Sequence, residues 1–189
     1  MRFVSDQAFD KISFKETPLE KAEYEGCVFR SCDLSECDLS GVRFADCEFI
    51  ACNLSLAKVM RTAFRDVKFR DCKMLGLRFD TCNGIGLSFT FGNCELAHST
   101  FYKTKIKRTV FRDCRLNGCD FTECDVAESV FENCDLAGAA FENTNLEKAD
   151  LRSAYNYSID PETSRVKKAK FSQNGIAGLL DKYDIVIES

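Results

Sequence analysis

The chain has 189 residues, 45% of them apolar, which is one domain's length with enough apolar side chains for a continuous core. Its formal charge of −4 is too mild to argue by itself for a nucleic-acid or membrane partner, and no apolar run approaches the roughly 20 residues that cross a bilayer. Met1 to Leu19 lacks the basic-then-apolar layout of a secretory leader, so the expected location is the cytoplasm, with no membrane contact.

From Val4, Phe9 and Phe14 onward, a large apolar residue stands at every fifth position as far as Phe79, and a small residue tends to stand two places before it. A helix repeats its apolar face at about 3.6 residues and a strand at 2, so a sustained period of 5 requires a chain that turns a corner every five residues. Four corners close a square coil of about 20 residues, and coils stack at the spacing of parallel strands, about 4.8 Å. Fourteen of the 17 phenylalanines take the central position of a pentad.

The register slips once, at 82–90. Phe79 and Phe91 are twelve residues apart, and Asn83-Gly84-Ile85-Gly86 lies between them, where a bulge or short loop is expected to absorb the two extra residues. These glycines lack the third glycine and the lysine of a phosphate loop. The second register runs from Phe91 to Leu151 and is cleanest over Cys114–Leu151: CRLNG CDFTE CDVAE SVFEN CDLAG AAFEN TNLEK ADL. Both registers together predict a coiled domain over 1–152 with about seven coils.

A different pattern is expected over 153–189. An extended connection reaches Lys170, Ser172 reads as an N-cap, and Gln173–Tyr183 reads as a short helix with Ile176, Leu179, Leu180 and Tyr183 on one face. Ile185–Ile187 follow as a strand-like tail.

The twelve cysteines suggest a metal or disulfide framework until they are placed in the repeat. All of them fall two residues before a central position, in the slot that elsewhere holds Ala22, Thr62, Ser129 and Ala139. Cysteine there is a small interior hydrophobe, and a larger side chain would overpack the slot. Neither a metal nor a cofactor is expected.

The pentad pattern of small, polar, Leu/Phe, polar, polar is similar to the pentapeptide-repeat family. The resemblance covers residues 4 to 151 with one interruption, and it implies an all-β solenoid, a right-handed quadrilateral β-helix. The ending GIAGLLDKYDIVI also resembles that of the dimeric members that bind bacterial type II topoisomerases, the Qnr-type quinolone-resistance proteins and the microcin-immunity proteins. It implies a homodimer through the C-terminal helix, with Ile176, Leu179, Leu180, Tyr183, Ile185 and Ile187 at the interface, and DNA gyrase or topoisomerase IV as partner. The plainer alternative is that the helix is only a lid over the open end of the coil.

Charge is distributed unevenly. Leu116–Leu151 holds nine acidic residues against Lys148 alone, while Lys103–Arg115 holds six basic residues against Asp113 and Lys58–Arg78 seven against two. Asp120, Glu123, Asp125, Glu128, Glu132 and Asp135 are the candidate partner-binding acids of a DNA mimic, to be met by a basic topoisomerase groove. Turns favour acidic and amide residues for their own reasons, so a solvated wall with no such role produces the same composition. Catalysis is not expected, since the single histidine, His98, falls on a solvent-facing corner and the sequence offers no Ser-His-Asp or Cys-His pairing. Direct nucleic-acid binding through Lys103, Lys105, Lys107 and Arg108 is not expected either, with only Tyr102 nearby to stack a base. The alternative to a topoisomerase binder is a non-catalytic interaction scaffold whose partner the sequence does not name.

Overall fold

Each pentad forms one side of a square coil, with its central side chain pointing inward and the following two residues turning the corner. The second residue after the centre adopts left-handed backbone, with φ between 50° and 62° at Ser31, Glu36, Asp113 and Glu128. Such angles are uncommon outside glycine, and Asp, Asn and Gly recur at these corners because they tolerate the left-handed region. Gly118 (φ 63°) has a further reason, since a Cβ there would lie 2.7 Å from the His98 ring.

In the computed structural model, which describes residues 2–187, these sides stack into a parallel β-solenoid of about eight turns. The first wall pairs Arg2–Ser5, Ala22–Glu25, Arg43–Ala45 and Ala63–Arg65. The second is a nine-stranded sheet from Ala8–Asp10 to Lys170–Phe171. The third and fourth are held by single parallel bridges such as Asp33↔Asn53 and Asp120↔Ala140. Partners are 20 residues apart, as in Phe29↔Phe49 and Phe111↔Phe131. On the inside, Phe9, Phe29, Phe49, Phe69, Phe91, Phe111 and Phe131 form one stacked column with ring centroids 4.6–5.3 Å apart. Offset stacking of this kind adds to the area buried.

The slip at 82–90 is a bulge on the first wall. The pairing interval lengthens from 20 to 22 at Val67↔Phe89. Gly84, Ile85 and Gly86 face solvent, whereas Leu87 and Phe89 turn inward and are buried. Phe89 packs 5.2 Å from Phe79 and 5.0 Å from Phe91, so the extra residues carry an additional ring into the core.

All twelve cysteines are free, ten of them buried and Cys37 and Cys82 half-buried. Their thiols do more than fill the slot. The Cys47 Sγ donates to the Tyr24 carbonyl at 3.3 Å, Cys52 to Phe29 at 3.3 Å and Cys119 to Leu96 at 3.1 Å. Thr62, Ser99 and Thr144 make the same bond with hydroxyls, to Leu39, Met74 and Phe121 at 2.7–2.9 Å. Cysteine, serine and threonine in this slot thus also satisfy a buried carbonyl of the preceding coil, which alanine at Ala22 and Ala139 does not.

The coil expected to stop at Leu151 makes one more turn. Tyr155 pairs with Asp135, Arg165 with Asn145, and Lys170–Phe171 with Asp150–Leu151. Asn156 and Pro161 stand at the central positions of this turn and hide its register, while Tyr157 and Ile159 are buried instead. Ser164 still takes the small slot, with its hydroxyl donating to the Phe141 carbonyl, and Val166 and Phe171 pack against the core.

The predicted helix over 173–183 is present as two 3₁₀ turns, Gln173–Leu179 and Asp181–Tyr183. Ser172 caps the first as expected, its hydroxyl accepting from the Gly175 amide at 3.1 Å. Gly175 and Gly178 seat this turn on Tyr157, where a Cβ at either would fall 2.1 Å from a Tyr157 oxygen. Two glycines in seven residues disfavour an α-helix, and the contact they permit holds the cap down. Ile185–Ile187 is exposed and lies outside both sheets.

Candidate functional site

The six candidate acids occupy one turn of the coil, and a residue five places on is a quarter-turn away. Asp120 lies on the fourth wall between Thr100 and Ala140, Asp125 on the first between Lys105 and Asn145, and Asp135 on the third between Arg115 and Tyr155. Glu132 faces Arg112 in the second wall, and Glu123 and Glu128 stand on left-handed corners. They form a belt around the shaft and do not converge on one patch.

Four of the six are already paired with the coil below. Lys103 reaches Glu123 at 3.4 Å, Lys107 reaches Asp125 at 3.2 Å, Arg108 reaches Glu128 at 3.1 Å and Arg112 reaches Glu132 at 2.7 Å. The basic segment and the acidic segment, separate along the sequence, interlock across one coil step. The signal was present in the numbering, since three of these pairs are 20 residues apart; charge summed along the chain conceals it.

Among the described residues, Asp120 and Asp135 take no ion-pair partner within 4 Å. Asp120 accepts from the Thr122 amide at 2.9 Å. Desolvation would raise the Asp135 carboxyl, but the side chains of Asn117 and Asn156, at 2.8 and 2.9 Å, and the Ala137 amide hold it below the usual carboxylate range. The hydrogen bond and charge of Arg108 likewise lower Glu128. Both stay ionised at neutral pH.

At the C-terminal end the candidate interface residues divide. Ile176, Tyr183, Ile185 and Ile187 are exposed. Leu180 is half-buried, and Leu179 is half-buried against the core, so its apolar surface is partly used in closing the coil. Lys182, held at 2.7 Å by Asp160 and at 2.6 Å by Glu162, and the Tyr183 hydroxyl, donating to Glu162 at 2.8 Å, tie the second 3₁₀ turn to the shaft.

His98 is exposed on a left-handed corner with φ 60°. Burial pushes the thiols of Cys47, Cys119 and Cys124 up to about 12, which keeps them protonated and able to donate. Among the described residues no three His, Cys, Asp or Glu side chains are grouped as a metal set, and no helix is long and apolar enough to cross a membrane.

A family model described as "Pentapeptide repeats (8 copies)" matches residues 22–59, and a second, "Pentapeptide repeat region", matches 87–155. No curated protein matches the chain. Among solved structures, a trypsin-treated variant of QnrB1, described as a plasmid-mediated fluoroquinolone resistance protein, is 19% identical, with 98% of this chain and 100% of that one covered and a TM-score of 0.50. HetL, a pentapeptide repeat protein involved in heterocyst differentiation regulation from the cyanobacterium Nostoc sp. strain PCC 7120, is 15% identical, with 91% and 90% covered and a TM-score of 0.53. At these identities the likeness is one of fold. With two repeat models that together span more than half of its length, and with the pentad register visible in every wall, the chain belongs to the pentapeptide-repeat family.

Proposed function

We propose that this chain is a non-catalytic, protein-binding rod that acts in the cytoplasm as a DNA mimic on a type II topoisomerase, DNA gyrase or topoisomerase IV. In this reading it modulates the enzyme or protects it from inhibitors such as quinolones or peptide toxins. The supporting observation is the acidic belt of the 120–135 turn, with Asp120 and Asp135 outside the ion-pair network and Glu142 and Glu147 one coil further on. The likeness of fold to QnrB1 makes a topoisomerase the first partner to try. The cross-coil pairing of Glu123, Asp125, Glu128 and Glu132 favours the coarser half of the proposal, a scaffold with another partner, because it neutralises much of the belt.

Two copies joined through Ile176, Tyr183, Ile185 and Ile187, with Leu180 at the edge, would bring two acidic belts towards the centre of a longer rod. The test is gyrase supercoiling, with and without a quinolone, across a titration of this protein and of its Asp120→Asn/Asp135→Asn variant. The expected result is inhibition, or relief from the drug, that fades as salt rises and is weaker in the variant. If neither appears, the topoisomerase partner is abandoned and the scaffold remains. Sedimentation of the wild type and of Ile187→Asp checks the dimer, and a wild-type monomer at micromolar concentration rules it out.

A further inference from the structure

Where the third wall turns into the fourth, Leu56 and Met60 are 62% and 57% exposed and line one groove, about 290 Å³ in volume, with Lys58, Gly76, Arg78 and Thr81. Leu56 is the one large aliphatic residue among the described left-handed corners, at φ 58°. That backbone is unfavourable for a bulky side chain and the position faces water, so neither packing nor turn chemistry calls for leucine there. The neighbouring coil nonetheless makes room for it: a Cβ at Gly76 would fall 2.8 Å from the Leu56 Cδ2, and glycine leaves that side chain lying across the coil step. A single exposed apolar residue is ordinary, but two that line one groove mark a contact surface.

The charge around the groove defines what would fill it. Of the seven basic residues in Lys58–Arg78, two have an acid in ion-pair contact among the described residues, Arg70 with Glu48 at 2.9 Å and Arg78 with Asp80 at 2.7 Å. Over Lys103–Arg115, by contrast, five of six are paired. Lys58 lines the groove and Arg61 follows Met60, and both are exposed. Asp38, the backbone bridge partner of Lys58 in the preceding coil, accepts from the Ser40 amide at 2.9 Å. An apolar groove with unpaired cations at its edge is complementary to apolar side chains flanked by acids. A bilayer presents no side chain to fill a concave groove. Nucleic acid would match the cations but would set phosphates against Leu56 and Met60, and the lining has no aromatic ring to stack a base.

We propose that this groove docks a segment of another protein in which leucine- or phenylalanine-type side chains are flanked by aspartate or glutamate. Its apolar side chains cover Leu56 and Met60, and its acids meet Lys58 and Arg61. The groove lies on other coils than the 120–135 belt and the C-terminal cap, so it and the topoisomerase reading stand or fall separately.

The test is amide chemical-shift titration of the full chain with the peptide Glu-Asp-Leu-Leu-Asp-Phe-Leu-Glu, with its Gln/Asn analogue, and with an analogue that has serine for each apolar residue. Saturable shifts centred on Leu56, Met60 and Gly76 are expected with the first peptide, and much weaker ones with either analogue. Leu56→Asn should weaken the peptide about tenfold, the order of one buried leucine. The same variant should leave thermal stability equal or higher, because asparagine tolerates left-handed backbone. Lys58→Glu/Arg61→Glu should also weaken the peptide about tenfold and flatten its salt dependence. No saturation up to about 1 mM peptide, an equal response to either analogue, or unaltered binding in both variants overturns the proposal. So does tighter binding of a peptide of the chain's own Asp184–Ser189, which gives the groove to a second copy. A response of these residues to phosphatidylglycerol vesicles and not to the peptide gives it to a lipid surface and likewise overturns the proposal.

Discussion

The coils on either side of the bulge fill the same square section with their rings on different walls. Before it, Tyr24, Phe44 and Phe64 stack along the first wall, beside the phenylalanine column of the second. After it, the first wall is aliphatic, with Ile106, Val126 and Leu146 buried. The second column of rings runs along the fourth wall from Phe79, just before the bulge, through Phe101, Phe121 and Phe141, with centroids 4.6–5.2 Å apart. The turns centred on 24–39 and 44–59 and those centred on 106–121 and 126–141 thus each hold two rings and two aliphatic side chains, on different pairs of walls, with each column stacked on itself. Phe89 sits where the column changes wall, in contact with Phe64, Phe79, Phe91 and Phe101. The bulge is the splice between two packing schemes.

The sharpest way to break this comparison is to empty the splice. Phe89→Ala should cost about 4 kcal/mol, the range for a buried phenylalanine replaced by alanine, and should separate the unfolding of the two halves into distinct steps in a urea titration followed by two probes. Phe3→Ala, at an exposed site, should leave a single unchanged transition. If Phe89→Ala behaves like Phe3→Ala, the two halves do not depend on that ring.

Alkaline pH tests a feature that the two halves share. The raised thiols of Cys47, before the bulge, and Cys119 and Cys124, after it, go from the ordinary 9.0 to about 12 on folding. Acids with a raised folded pKa contribute stability that is complete below pH 9 and is lost as pH rises towards 12. These three should together remove about 2–3 kcal/mol by pH 9.5, measured by urea denaturation against pH 7.5. A flat profile between those values would mean that the slots are open to water.

The finest comparison sets one slot against another. Thr62 and Thr144 make equivalent bonds to Leu39 and Phe121 on opposite sides of the bulge. Thr→Val at either should cost about 1–2 kcal/mol, because a buried carbonyl loses its donor, and Thr→Cys should cost less. Unequal valine costs would show that one half relaxes around the lost bond more readily than the other.

Much of the shaft was legible because the pentad is local. A central residue, a small residue two before it and a polar corner two after it place a side chain without reference to distant chain, and this located the bulge, the interior cysteines and the solvent-facing His98. The final turn was not legible, because Asn156 and Pro161 break the spelling while backbone pairing to Asp135, Asn145 and Asp150 carries the turn across the break. The acidic belt was legible as composition but not as a surface. Whether Glu132 is an open charge or half of a pair depends on Arg112, one coil away.

The sequence by itself determined the period, the inward row and the cap at Ser172, since steric size and turn chemistry act within five residues. Tertiary structure alone decided which charges are neutralised, that cysteine, serine and threonine in the small slot donate to a carbonyl of the neighbouring coil, and that Tyr157 lies under the cap with its hydroxyl unpaired. Each of these is a contact between chain segments about 20 residues apart, and its energy depends on what the neighbouring coil presents at that height.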